Sequence, residues 1–313
     1  MPTLPYDVLE HILTREWLSR STVCSLCLVS HEFYALAGQQ LYHTVHFSSR
    51  ELQKSQLFFQ AITADWILAR NVVSLHIDTD LARISQQPHM RLLIDALPGL
   101  QMLRHLYCKS VAQCIVYDAR IISYIAALPR LESIHIWSLY SPAADERLLD
   151  RLPAMKIIRI DSTSRSNFYL GGSRSLERLL SRSKDTLVKL DLSGTDLSVL
   201  DTFFDDTQYS WPKVEDLTAS IMTTRTPARA FPNVRRLSLP GYRGISGNAL
   251  VDPTVFPHLH QLGVSDGAWD NVSGKRDVRH LLVELAGRSF LLYLTLFNGG
   301  EVSICTGRVF LPL

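Results

Sequence analysis

The sequence predicts an α/β chain: a small helical module at the N-terminus, then a solenoid of strand-and-return units with a parallel sheet on the concave side and helices outside. Three observations carry this. A short pattern recurs along most of the 313 residues: "LPGLQMLRHL", "LPRLESIHI", "LPAMKIIRI", "WPKVEDLTA", "FPNVRRLSL" and "FPHLHQLGV". Segments with helical apolar spacing lie between the copies, such as "AADERLLDRL", "SRSLERLL" and "RDVRHLLVELAGR". The chain opens on "LPYDVLEHIL", an amphipathic stretch too short to fold alone.

In each of the six copies an apolar-Pro pair stands before one spacer and an apolar residue, with a second apolar residue three positions on. Three further segments, "VVSLHI", "LVKLDL" and "LLYLTL", share the strand part without the Pro. The first apolar positions are Val72, Leu100, Leu131, Met155, Leu187, Val214, Val234, Leu259 and Leu291, separated by 20 to 32 residues. That period is the period of a leucine-rich repeat, one strand plus one helical or irregular return. A unit of this size cannot bury its own apolar face, so successive units stack and share one core. The Pro blocks further helix and favours an extended approach to the strand. The Asn that closes each turn in regular repeats is missing, and the best unit, "LVKLDLSGTDL", has Thr195 there.

The N-terminal module spans residues 1–47. Pro5 suits a first helical turn, and Val8, Leu9, Ile12 and Leu13 then form one apolar face. A second helix is expected over Thr22–Leu28. Ser30 caps a third carrying Phe33, Tyr34 and Leu36, with Gly38 as its stop. "LYHTVHF" reads as extended. Residues 48–69 read as one connecting helix and 70–313 as the repeats, with "AQCIVYDARIISYIAAL" as the helical return before Pro129. The ending "GRVFLPL" reads as a capping strand or the edge of a shortened solenoid.

Net charge is +2, from 32 basic and 30 acidic residues, which argues against a nucleic-acid surface and a polybasic membrane anchor. No apolar run reaches membrane-spanning length, and Asp7, Glu10 and His11 interrupt any signal-peptide core. The five cysteines are odd in number and scattered, as expected in a reducing compartment. Cys24 and Cys27 have the spacing of a metal pair but no second pair, so a buried or half-buried structural role is expected. No nucleophile elbow, phosphate-binding loop or His-Glu-x-x-His motif occurs. No cofactor, metal or catalytic residue is therefore expected.

"LPYDVLEHIL", "LCLVSHEFYALA" and "LYHTVHF" together resemble an F-box, and the remainder resembles the irregular leucine-rich repeats of many fungal F-box proteins. The resemblance implies that the first helices dock on a Skp-family adaptor and, through it, a cullin–RING ubiquitin ligase. The chain would then be a non-enzymatic substrate receptor, cytoplasmic or nuclear, with an unknown protein target. The matching adaptor-binding positions are Leu4, Pro5, Val8, Leu9, Ile12, Leu13, Leu28, Val29 and Phe33. For Leu13, Leu28 and Phe33, packing inside the three helices is an equal alternative. A leucine-rich binding scaffold acting outside the ligase has the same fold.

Alternation along each strand assigns the target face. Between two core-facing apolar residues it places His76, His135, Arg159, Asp191, Thr218 and Ser238 in one outward row. Asp78, Trp137, Asp161, Ser193 and Ser220 follow, and Lys189 and Arg236 precede. The target-binding candidates are His76, His135, Trp137, Arg159, Asp161, Lys189, Asp191 and Arg236. Among them Trp137, Arg159 and His135 form the group most like an interface hot spot. Arg159, Lys189 and Arg236 offer cations to an acidic or phosphorylated motif.

Overall fold

The computed structural model describes residues 8, 11, 18–48, 50–78, 87–109, 111–138, 142–162, 174–196, 210–221, 229–239, 257–265, 293–298 and 301–305. Two compact units divide the chain, Met1–Ile136 and Trp137–Leu313. Of the expected elements, the helix "RDVRHLLVELAGR" and the ending "GRVFLPL" lie outside the described residues.

In the first unit, α1 (Arg20–Leu26) starts at Ser19, whose side chain accepts from Thr22 N. α2 (His31–His43) starts at Ser30, whose Oγ accepts from Phe33 N at 3.2 Å. Val23, Leu36 and Ala37 form the small core of this module, with Leu18, Leu26, Cys27, Phe33 and Leu41 packed against it. Gly38 does not end α2 as the sequence predicts. The helix runs one turn further because Leu41 reaches this core and Tyr42 stacks on Phe58 at 5.9 Å. The extended segment is correspondingly shorter, β1 (Thr44–Phe47).

The connecting helix is two helices, α3 (Leu52–Ala64) and α4 (Trp66–Arg70). The break is Asp65, which is extended and caps α4 by accepting from Ile67 N and Leu68 N. A short carboxylate that satisfies free amides at a helix start competes with helix continuation. The return before Pro129 is likewise two helices, α6 (Val111–Tyr117) and α7 (Arg120–Ala126), and Asp118 between them accepts from Arg120 N at 2.9 Å. α5 (Gln87–Ala96) runs into a 3-10 turn, Leu97–Gly99, where a Cβ on Gly99 would stand 3.3 Å from Ala69 Cβ.

The strands of this unit are β1, β2 (Ser74–Ile77), β3 (His105–Cys108) and, up to Ile136, β4 (Ser133–Ser138), parallel and in chain order. Leu106 pairs with Leu75 and Ile134, so the third strand follows Leu103, not Leu100 as the repeat pattern predicts. The 3-10 turn takes up the extra residues, and Leu100 and Leu103 are both fully buried.

The second unit contains α8 (Pro142–Arg151), β5 (Ile157–Ser162), α9 (Arg174–Arg182), β6 (Lys189–Asp196), β7 (Asp216–Ile221), β8 (Arg236–Leu239), β9 (Gln261–Ser265), β10 (Tyr293–Asn298) and β11 (Glu301–Cys305). β5 to β10 are parallel neighbours in chain order, and β11 turns back antiparallel to β10. The register of β6 against β7 slips between Leu192 and Asp196, within "LSGTD" where the turn-closing Asn is absent.

One backbone device joins the units of the repeat. A carbonyl just before each strand accepts from two successive amides of the next repeat: Val73 O from Arg104 and His105, Arg104 O from Glu132 and Ser133, Lys156 O from Val188 and Lys189. Val188, Glu215 and Arg235 continue the series. Inward residues flank each outward one as alternation requires. Leu75 and Ile77, Ile134 and Ile136, Ile158 and Ile160, and Leu190 and Leu192 are all buried. Both units are therefore α/β solenoid repeats, preceded by an N-terminal helical module.

Candidate interaction surfaces

The turn between α1 and α2 presents two large apolar side chains to solvent. Leu28 is 89% exposed and Val29 64% exposed. Their backbone amides donate to Ser25 O and Leu26 O, and Ser30 then caps α2, so both are held by the caps on either side. Val8 is helical and 41% exposed. Phe33 instead packs against the module core. Leu4, Pro5, Leu9, Ile12 and Leu13 lie outside the described residues. Cys27 is half-buried against the module core, as expected, whereas Cys24 is exposed, which corrects the expectation for that residue: it is not among the side chains that pack on Val23, Leu36 and Ala37. Burial pushes the Cys27 thiol above its ordinary value. Cys114 is raised further, by its hydrogen bond with Cys108 and by burial, so its thiol lacks thiolate character. Among the described residues no group of three or more His, Cys, Asp or Glu is arranged to hold a metal ion.

On the outward face of the first unit the register aligns His46, His76, Tyr107 and His135. Their rings form a ladder with centroid separations of 4.3, 3.7 and 4.3 Å. Beside it Lys109 Nζ pairs with Asp78 Oδ1 at 3.3 Å. Sequence reasoning placed His76 and His135 in this row and missed His46 and Tyr107. His46 was legible in the alternation of "LYHTVHF". Tyr107 was hidden by the extra residues that follow Leu100.

In the second unit the row is Arg159, Asp191, Thr218, Ser238 and Gly263, with Lys189, Asp216, Arg236 and Gln261 directly before it. Arg159 Nε stands 3.2 Å from Asp191 Oδ2 and 3.4 Å from Asp161 Oδ2. Asp191 also accepts from Ser193 Oγ at 2.6 Å. Both carboxylates are buried. Arg236 Nε pairs with Asp216 Oδ1. Trp137 is half-buried at the start of this unit. Gln261 and Gly263 were not among the sequence candidates, although they occupy the same positions of "FPHLHQLGV" as Arg236 and Ser238 do of "FPNVRRLSL".

The exposed Leu28–Val29 turn lies in the segment that a family model identifies. Residues 1–48 match the F-box-like family. The F-box-like segment therefore ends just after β1, the first strand of the sheet. No curated protein matches the chain. Among solved structures, the complex of Rad7 and Elc1 from yeast is similar at 11% identity, covering 88% of this chain and 85% of that one, with a TM-score of 0.38.

Proposed function

We propose that this chain is a substrate-recognition adaptor of a Skp–cullin–F-box ubiquitin ligase. The supporting observation is the pair Leu28 and Val29, held in the open by two helix caps inside a segment that matches the F-box-like family over residues 1–48. Large apolar side chains on a capped turn lose water only when a partner covers them, and a helical groove of the Skp adaptor is a fitting cover. Residues 1–47 then form the adaptor-binding module, 48–69 the connector, and 70–313 an irregular leucine-rich-repeat solenoid of the kind found in fungal F-box proteins. The adaptor-binding residues are Leu4, Pro5, Val8, Leu9, Ile12, Leu13, Leu28 and Val29, with Phe33 supporting them from the core. The outward rows hold the target protein, through His76 and His135 in the first unit and Trp137, Lys189 and Arg236 in the second. The chain supplies no chemistry. It raises the effective concentration of target near the ligase. Such an adaptor works in the cytoplasm or nucleus, and no described helix is long and apolar enough to cross a membrane.

The test is capture by a purified Skp adaptor, comparing wild type with Leu4→Ala/Pro5→Ala and with Leu28→Asp/Val29→Asp, each checked for folding by circular dichroism. Wild type is expected to bind and both variants to lose binding. Folded wild type that does not bind would leave a repeat protein acting outside the ligase.

A further inference from the structure

Resting on the reading of the outward rows as the target-binding face, we infer that a depression in the second unit takes one anionic side chain of the target, a phosphoryl or carboxylate group. The depression has a volume of about 260 Å³, and its outward lining includes Lys189, Thr218, Arg236, Ser238, Gln261 and Gly263. Gly263 carries no side chain, and at that position of the row every neighbouring strand has one, so the missing group opens the floor.

The chemistry around this space is that of an anion site. Lys189 and Arg236 contribute two cations to a lining whose one carboxylate is Asp216, and Asp191, next to Thr218 in the row, is taken up by Arg159 and Ser193. Asp216 engages Arg236 only through Nε, which leaves the terminal fork of the guanidinium for a second partner. The carboxylate thus orients the arginine without saturating it. No ion pair to Lys189 is present among the described residues. Thr218 and Ser238 add hydroxyl donors and Gln261 an amide, all half-buried, so a bound anion finds neutral donors as well as charge. Arg159, the third cation of these rows, is excluded from this role because it is already engaged by Asp191 at 3.2 Å and Asp161 at 3.4 Å. Of these three cations, Lys189 and Arg236 are the pair that recognises an acidic or phosphorylated group.

The experiment is a titration of the full chain, labelled with 15N at arginine, with inorganic phosphate and separately with acetate at constant ionic strength. The Arg236 Nε–H signal, assigned by its loss in Arg236→Lys, is followed. A saturable shift is expected with at least one anion. Preference for phosphate assigns a phosphoryl group, and equal response to acetate assigns a carboxylate. Lys189→Gln is expected to weaken binding about tenfold, as for loss of one charge-assisted hydrogen bond. Ser238→Ala, which keeps every charge, weakens it about threefold. Arg91→Gln, a surface cation of the first unit, leaves it unchanged. No saturable shift with either anion, or wild-type affinity in Lys189→Gln, overturns the inference. Adaptor capture is read separately: a silent depression in a chain that binds the adaptor removes only this site, and a responding depression in a chain that does not bind keeps the site and removes the ligase.

Discussion

Leu28 and Phe33 stand five positions apart in one motif and have opposite fates. Leu28 projects from a turn, whereas Phe33 lies one turn into α2 and closes over Val23 and Leu36. Leu28→Ala should leave stability within about 0.5 kcal/mol of wild type, as for an exposed site. Phe33→Ala should cost about 2 kcal/mol, below the range for a fully buried aromatic because its burial is partial. Urea denaturation of the two variants separates them. Glu51 makes a second residue-scale prediction. Its carboxylate accepts from Lys54 Nζ at 2.8 Å and from Ser48 N and Oγ, and is held down to about 2 from its ordinary 4.5. An acid depressed on folding stabilises the protein above its unfolded pKa, and that contribution is lost as pH falls from 4.5 towards 2. The urea midpoint of Glu51→Gln should therefore lie below wild type at neutral pH and converge with it in that acid window. Arg159 is different again, since its removal takes away the cation that the buried Asp161 and Asp191 share. Arg159→Ala should cost about 2 kcal/mol, less than a fully buried pair because the guanidinium is half exposed.

Between elements, stability comes from polar groups that reach from one return to the next. Ser183, fully buried at the end of α9, accepts through Oγ from Met155 N at 3.0 Å. Thr186 Oγ1 donates to Met155 O at 2.8 Å. Arg182 donates to Leu149 O and Asp150 O, carbonyls that the end of α8 leaves free. Trp211 is fully buried, donates from Nε1 to Leu180 O at 2.9 Å, and packs on Phe231. Ser183→Ala strands a buried amide and should cost about 2 kcal/mol. Trp211→Ala should cost about 4 kcal/mol, by cavity formation together with a lost donor. Thermal unfolding of both variants checks these values. The leucine spacing announces α8 and α9, but Ser183 in "SRSKDT" looks like an ordinary turn residue, because its partner lies 28 residues away. Asp65 is likewise not legible as a break, since a capping carboxylate and a solvent-facing one look alike in sequence.

At the scale of the whole molecule, each unit carries a sheet face built by the same alternation, and the first also carries the helical module. If module and faces serve different partners, their losses separate. His76→Ala/His135→Ala should leave adaptor capture unchanged, and Leu28→Asp/Val29→Asp should abolish it without altering the anion titration at Arg236. The sequence by itself determined the repeat, the inward rows and the outward candidates, because alternation and the spacing of apolar residues are local consequences of strand geometry. Every first apolar position among the described residues is buried, from Val72 to Leu259. Only the tertiary structure decided which outward residues meet. The three-residue offset after Leu100 put Tyr107 into the histidine ladder, Arg159 came between two carboxylates, and Gly263 became the floor of a depression. Those outcomes depend on register between strands 20 or more residues apart, and register is set by packing of the whole stack, which no single segment encodes.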